Sequence, residues 1–286
     1  MTRREIEELV TARVLRPSRA LGQNFVADAN TVRRVARLAE LEPGQPVVEI
    51  GAGLGALTLA LAETGAEVTA VEVDAHLLPL LRRSLEGRPV RVVHADALTL
   101  DWSALLDEAP GGQSAAPGGG RAPWALVANL PYNVAVPVVV RVLDEAPAVT
   151  RALVMVQREV GERLVAGPGT KAYGAVSVKV SYHATARIVG RVPPAVFVPR
   201  PRVESVLVRF VRREAPAVDP RRVGAERLFA VVRAGFAHRR KTLRRALDGV
   251  VIPAAFDAAG VDPRARAEEL SVEDWGRLAA EREPDR

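Results

Sequence analysis

The sequence predicts an α/β fold, built on an open parallel sheet and followed by an all-helical segment. Three observations predict it. Short apolar, β-branched runs alternate with helix-patterned stretches through the first two thirds of the chain, the arrangement that builds βαβ units. The run Val47-Val-Glu-Ile50 passes into Gly51-Ala-Gly-Leu-Gly55, and a helix begins at Leu57. After Arg213 a proline-containing linker gives way to purely helical spacing.

The elements follow in order. Residues 3–16 carry Ile6, Leu9, Val10 and Val14 at helical spacing. Asp28 is placed to cap a helix over 29–40. The strands are Val47–Ile50, Glu67–Val71, Val90–His94, Trp124–Ala128 and Arg151–Val156. Helical pattern follows at 134–143 and 157–165. Residues 108–123 are rich in Gly and Pro and read as a surface insertion. Ala175–Tyr182 alternates apolar and polar residues, which predicts a half-buried strand. Val203–Val211 predicts a last strand, antiparallel to a neighbour. Helices are expected at 221–237, 239–248, 253–259 and 266–281, the last opened by a Ser271-x-x-Asp274 capping box. The domains expected are thus 1–214 and 219–286.

Composition narrows the function. At 286 residues about two domains are expected. The absence of cysteine excludes disulfides and thiolate metal sites and fits a cytoplasmic protein. The start, Met-Thr-Arg-Arg-Glu-Ile-Glu-Glu, is too charged for a signal peptide, and no apolar run is long enough to cross a bilayer. His76, His94, His183 and His238 lack metal-ligand spacing, so no metal is expected. The net charge of +6 predicts an affinity for phosphate backbones or anionic membranes. Only three of the 40 basic residues are lysine, and arginine binds phosphate bidentately.

The candidate site lies where strands end, the ligand-binding edge of a parallel sheet. The spacing Gly51-x-Gly53-x-Gly55 departs from the dinucleotide pattern and points to S-adenosylmethionine, which has no pyrophosphate. Glu72, about twenty residues on, is placed to accept ribose hydroxyls. Asp96, in Ala95-Asp-Ala97, is placed to accept from an adenine amino group. Asn129-Leu-Pro-Tyr132 sets an amide, a proline and an aromatic at the end of the fourth strand, a place to hold a flat amino-bearing ring. Phe197 stands beside Arg200 and Arg202 in a proline-stiffened loop. His238-Arg-Arg-Lys-Thr-Leu-Arg-Arg245 is the densest basic run and predicts a phosphate-binding patch.

Taken together, these motifs resemble the ribosomal RNA adenine N6-dimethyltransferases, and most of all their small-subunit (16S) branch. The resemblance runs from Leu21-Gly-Gln-Asn-Phe25 through Glu49-Ile-Gly-Ala-Gly-Leu-Gly55 and Asn129-Leu-Pro-Tyr-Asn133. It continues through Tyr173-Gly-Ala-Val-Ser177 and Phe197-Val-Pro-Arg-Pro-Arg-Val-Glu-Ser205 to Arg239-Arg-Lys-Thr-Leu243. It implies a Rossmann-like, seven-stranded SAM-dependent methyltransferase sheet with a small all-helical C-terminal domain. It implies cofactor contacts at Asn24, Val26, Gly51, Gly53, Glu72, Asp96, Ala97 and Asn129. It implies, as substrate, two adjacent adenines in the 3′-terminal hairpin loop of 16S rRNA within a 30S precursor. Asn129 and the Pro131 carbonyl are then expected to accept from the target amine, with Tyr132 and Phe197 stacking on the base. Arg200, Arg202, Arg239, Arg240, Lys241, Arg244 and Arg245 are expected to bind RNA, and a monomer is the default. The related large-subunit methylases share the core motifs, and a non-catalytic assembly factor is the rival from another class.

Overall fold

The sheet owes its polarity to the glycine turn and the βαβ units around it. A computed structural model describes residues 3–12, 15, 17–18, 21–108 and 123–281. In order these form α1 (Arg3–Thr11), β1 (Phe25–Val26), α2 (Ala29–Ala39), β2 (Pro46–Ile50), α3 (Ala56–Ala62), β3 (Glu67–Glu72), α4 (Leu78–Ser84), β4 (Val90–His94) and α5 (Trp102–Glu108). There follow β5 (Trp124–Asn129), α6 (Ala135–Glu145), β6 (Val149–Gln157), α7 (Arg158–Val165), α8 (Ala175–His183), β7 (Ala184–Val192), β8 (Phe197–Val198) and β9 (Ser205–Arg212). The last helices are α9 (Ala225–Ala237), α10 (Leu243–Ala246), α11 (Pro253–Ala259) and α12 (Val272–Ala280).

Seven strands form one sheet in the order β4-β3-β2-β5-β6-β9-β7. Strands β4 to β6 pair in parallel, and β9 runs antiparallel to β6. The central parallel strands β2, β3 and β5 are buried on both faces, as helical crossovers require, which is why β2 and β5 are almost wholly apolar. One face is filled by α2 and α3, through Val32, Val35, Leu57 and Leu61, packed on Val47, Val127, Leu153 and Leu207. Local signals agree with this packing. The Asp28 carboxylate accepts from Thr31 N at 2.7 Å and caps α2. The capping box of α12 is reciprocal, with Asp274 N donating to Ser271 Oγ (3.1 Å) and Ser271 N to Asp274 Oδ2 (2.8 Å).

The chain divides into two compact units. The first takes the residues up to Gly161 together with Arg187–Val211, and the second takes Glu162–Ala186 and the chain from Arg212 onward. Residues 162–186 thus pack in the helical unit, although the sequence assigns everything up to 214 to the first domain. The core of the second unit gathers Tyr173, Val178, Tyr182, Phe229, Leu243, Phe256 and Trp275.

Several expectations are corrected. Ala175–His183 is helix α8, not a strand. Its apolar alternation misleads because Ser177, Val178, Val180 and Tyr182 are all buried, so more than one side of the helix is covered. Ser177 fixes the turn, accepting from Gly174 N (3.0 Å) and donating to Arg163 O (2.6 Å). The next segment, with no element predicted, is edge strand β7. The helix expected over 239–248 is only Leu243–Ala246, and α1 ends at Thr11. Val14 and most of the 108–123 insertion lie outside the described residues.

Candidate active site

The first unit carries a cavity at the carboxyl ends of β2, β3 and β5. Its lining includes Asn24, Val26, Glu49, Gly51, Gly53, Glu72, Asn129, Pro131 and Tyr132. Of the cofactor residues predicted from the sequence, only Asp96 and Ala97 are not in the wall. They follow β4, one strand further out, and the β4 loop is tied in by Ala95 N donating to Glu72 O (3.1 Å). Asp96 is exposed, with Oδ1 accepting from Leu98 N at 2.8 Å, and Ala97 is buried.

The turn after β2 reverses direction through Gly51, Gly53 and Gly55 at φ 74°, 57° and 83°. Side chains are strained there, and a Cβ on Gly53 would stand 3.3 Å from the Phe25 ring. Gly53 N donates to Glu72 Oε2 at 2.7 Å, and Asp74 N donates to Oε1 at 2.9 Å. These amides fix the carboxylate at the end of β3 and leave it acceptor capacity. Burial pushes the Glu72 carboxyl above its ordinary value, although both amides act against the rise.

Glu49 is a site residue that the sequence shows only as part of the glycine motif. It sits inside β2, 1% exposed, yet it lines the cavity. Among the described residues its Oε2 has no hydrogen-bond partner. Burial pushes this carboxyl up to about 8, and neighbouring Glu72 adds to the rise. The floor of the cavity thus offers one amide-held carboxylate, Glu72, and one acid, Glu49, that burial keeps protonated, a lining that suits hydroxyl and ammonium donors and does not suit a phosphate. S-adenosylmethionine fits this donor set, since it carries a sulfonium and an ammonium and no phosphate.

A strap formed by residues 21–26 crosses the same edge. Gln23 Nε2 donates to Asp74 Oδ2 (2.8 Å), and Gln23 Oε1 accepts from Ser18 N (2.8 Å). Phe25 and Val26 form β1, which pairs antiparallel with β8. Asn129 Nδ2 donates to Asn24 O at 3.0 Å, which leaves Oδ1 as the group's acceptor. The tie between Gln23 and Asp74 has no signal in the sequence, because it joins segments far apart in the chain.

The Asn-Leu-Pro-Tyr turn is held from several sides. Leu130 N donates to Met155 O (3.1 Å). Val134 N donates to Pro131 O at 3.2 Å, which occupies one lone pair of that carbonyl and leaves the other. The Tyr132 hydroxyl lies 2.9 Å from Ser205 Oγ. Burial pushes the Tyr132 phenol above its ordinary value, so it is neutral.

Phe197, expected from the sequence to stack on the base opposite Tyr132, is not in the cavity wall. It is 1% exposed, pairs with Val26, and packs with Val32, Val35 and Val192 in the core. As placed it supports the strap and does not line the cavity. Arg200 and Arg202 are exposed. In the second unit Arg240, Lys241, Arg244 and Arg245 are exposed. Arg239 is engaged internally, with Nε 2.6 Å from Glu268 and Nη2 donating to Lys171 O.

Known proteins are similar to this chain. The family model described as ribosomal RNA adenine dimethylase matches residues 15–283. "Ribosomal RNA small subunit methyltransferase A" of Kineococcus radiotolerans is 49% identical, covering 99% of this chain and 91% of its own. The protein of the same name from Streptomyces coelicolor is 48% identical, over 96% of this chain and 94% of its own. Among solved structures, the 23S rRNA methyltransferase ErmE is 30% identical with a TM-score of 0.65, covering 89% of this chain and 98% of that one. A dimethyladenosine transferase from Plasmodium falciparum shares the fold, with a TM-score of 0.69 at 20% identity. With a match of this length, and with the sheet, glycine turn and Asn-Leu-Pro-Tyr edge in place, the chain belongs to the ribosomal RNA adenine dimethylase family.

Proposed function

We propose that this enzyme dimethylates the N6 amines of two adjacent adenines in the 3′-terminal hairpin loop of 16S rRNA, with S-adenosylmethionine as methyl donor. The observation that carries the reading is the Asn129 amide. Its Nδ2 is committed to Asn24 O, so Oδ1 is kept as an acceptor at the cavity edge beside Tyr132. The small-subunit relatives, at 45–49% identity, favour 16S over 23S rRNA as substrate.

An adenine amine is a weak nucleophile, because its lone pair is delocalised into the ring. S-adenosylmethionine, when bound, supplies an electrophilic methyl group on a sulfonium. The chain's task is to localise the amine lone pair and to aim it. Asn129 Oδ1 and the free lone pair of the Pro131 carbonyl each accept one amine hydrogen, which favours a pyramidal nitrogen. Tyr132 offers its ring face to the extruded base, and such stacking is worth about 1–3 kcal/mol. That offsets part of the few kcal/mol needed to flip the base. Glu72 would hold the ribose hydroxyls, and Glu49, protonated in the chain alone, would ionise against the cofactor's positive charge. The glycine turn would let the backbone approach, with Val26 and Asn24 closing the strap. Positioning and charge placement do the work, and no strong base is needed, because the N6 proton becomes acidic as the nitrogen is alkylated and would pass to water.

The helical unit would grip RNA through Arg240, Lys241, Arg244 and Arg245, with Arg200 and Arg202 assisting from the first unit. The test is methyl transfer from labelled cofactor to 30S precursors that lack the modification, using wild type and Asn129→Ala. Dimethyladenosine with the wild type, and a loss of at least a hundredfold with the variant, supports the reading. Transfer to protein-free 23S rRNA alone would move the enzyme to the large-subunit branch. Cofactor binding without transfer to either RNA would favour an assembly factor.

A further inference from the structure

We propose that Ser205 is a positioning residue that sets the plane of the Tyr132 ring, and that this setting matters most for the second methyl transfer. The inference deepens the proposed function and rests on Tyr132 as the stacking platform.

Ser205 opens β9 at the carboxyl end of β6, opposite Gln157. Asn129 lies along the same edge, opposite Met155. The Ser205 side chain is wholly buried. Among the described residues its hydroxyl bonds only to the Tyr132 hydroxyl, at 2.9 Å. Tyr132 is half-buried and lines the cavity. The ring is therefore held at both ends, by the backbone turn at Cα and by a buried partner at its hydroxyl. A phenylalanine there would keep the stacking face and lose that second anchor. The Glu204 carbonyl accepts from Arg158 N at 2.9 Å, which fixes the backbone just before Ser205 and makes it a rigid partner.

The order of the two transfers gives the anchor its weight. An unmodified adenine amine brings two hydrogens, one for Asn129 Oδ1 and one for the Pro131 carbonyl. After one transfer only one hydrogen remains. The monomethylated base then keeps a single hydrogen bond, and the stacking face must do more of the aiming. A loose ring costs little in the first step and more in the second.

The test compares Ser205→Ala, Tyr132→Phe and the double variant on unmodified 30S precursors. Each single change should lower kcat about 3- to 10-fold, the effect of one hydrogen bond, with KM for the particle within about twofold of wild type. The product should shift from dimethyl- to monomethyladenosine. The double variant should be no worse than either single one, since all three remove the same bond. A merely structural Ser205 would lower the melting temperature and leave the product ratio alone. Wild-type product ratios in Ser205→Ala, or additive losses in the double variant, would overturn the proposal. Asn129→Ala, run in parallel, separates the two readings. If it loses activity while Ser205→Ala does not, only the positioning role fails. If Asn129→Ala keeps full activity, the site itself has been misread.

Discussion

Replacing Glu49 with glutamine should flatten the pH dependence of stability. Glu49 is buried within β2, its carboxyl is pushed up to about 8, and the ordinary value is 4.5. Between those values the folded chain keeps a proton that the unfolded chain has released. Stability from this group is therefore complete below about pH 4.5 and is lost as pH rises towards 8. The slope approaches 1.4 kcal/mol per pH unit, so between pH 5 and pH 8 the loss is on the order of 4 kcal/mol. That is a large share of the roughly 5–15 kcal/mol that holds a domain together. Glutamine has nearly the shape of the protonated acid and no proton to lose. Urea titrations at pH 5, 6.5 and 8, read by amide exchange in β2 and β5, report on the unit that holds residue 49. Wild type should weaken across the series by several kcal/mol more than Glu49→Gln, which still contains Glu72 and every other titrating group. Parallel profiles for the two proteins would refute the reasoning, because Glu49 would then be ionised in the folded state.

Three further outcomes follow from the geometry. Gln23→Ala cuts the strap from Asp74, a charge-assisted bond of 2.8 Å, and should speed cofactor release about tenfold in stopped-flow displacement while the melting temperature holds. Gly235→Ala places a Cβ 2.4 Å from the Trp275 ring, which is 0% exposed. Overpacking of about 1–3 kcal/mol should outweigh the ~1 kcal/mol of helix propensity gained, and calorimetry should show a lower melting temperature for the helical unit. Reversing the charge at Arg240, Lys241, Arg244 and Arg245 should weaken binding to 30S particles. The slope of log K against log salt should become shallower by up to about 0.7 for each phosphate that is no longer neutralised.

The parallel strands are legible in the residues because each is a short, β-branched run bounded by turn chemistry. Glu72 and Asn129 are legible because each ends such a run. Residues whose role depends on direction are less so. Phe197 sits between prolines and arginines in the chain, which suggests exposure, but pairing with Val26 turns it into the core. Arg239 is part of a basic run, yet Glu268 and the Lys171 carbonyl hold it. Ser177 and its neighbours alternate like a strand and are buried as a helix. The Gln23–Asp74 tie joins residues 51 positions apart. Long-range pairs of this kind leave no local pattern, and Ser205 with Tyr132, 73 apart, is the same case.

The division of the chain has a consequence for its synthesis. The polypeptide passes between the two units after Gly161, after Ala186 and after Val211. No single cut releases either unit whole, and a truncation at 214 would strand 162–186 without its helical partners. On the ribosome, where the N-terminal part emerges first, β2 to β6 are complete well before β9 exists. Until residue 212 has left the exit tunnel, β6 presents a bare, apolar edge to any passing strand. The nascent enzyme is thus most vulnerable to aggregation over the interval in which its second unit has begun and its first has not closed. A holding chaperone acting in that interval, rather than after release, would govern its yield.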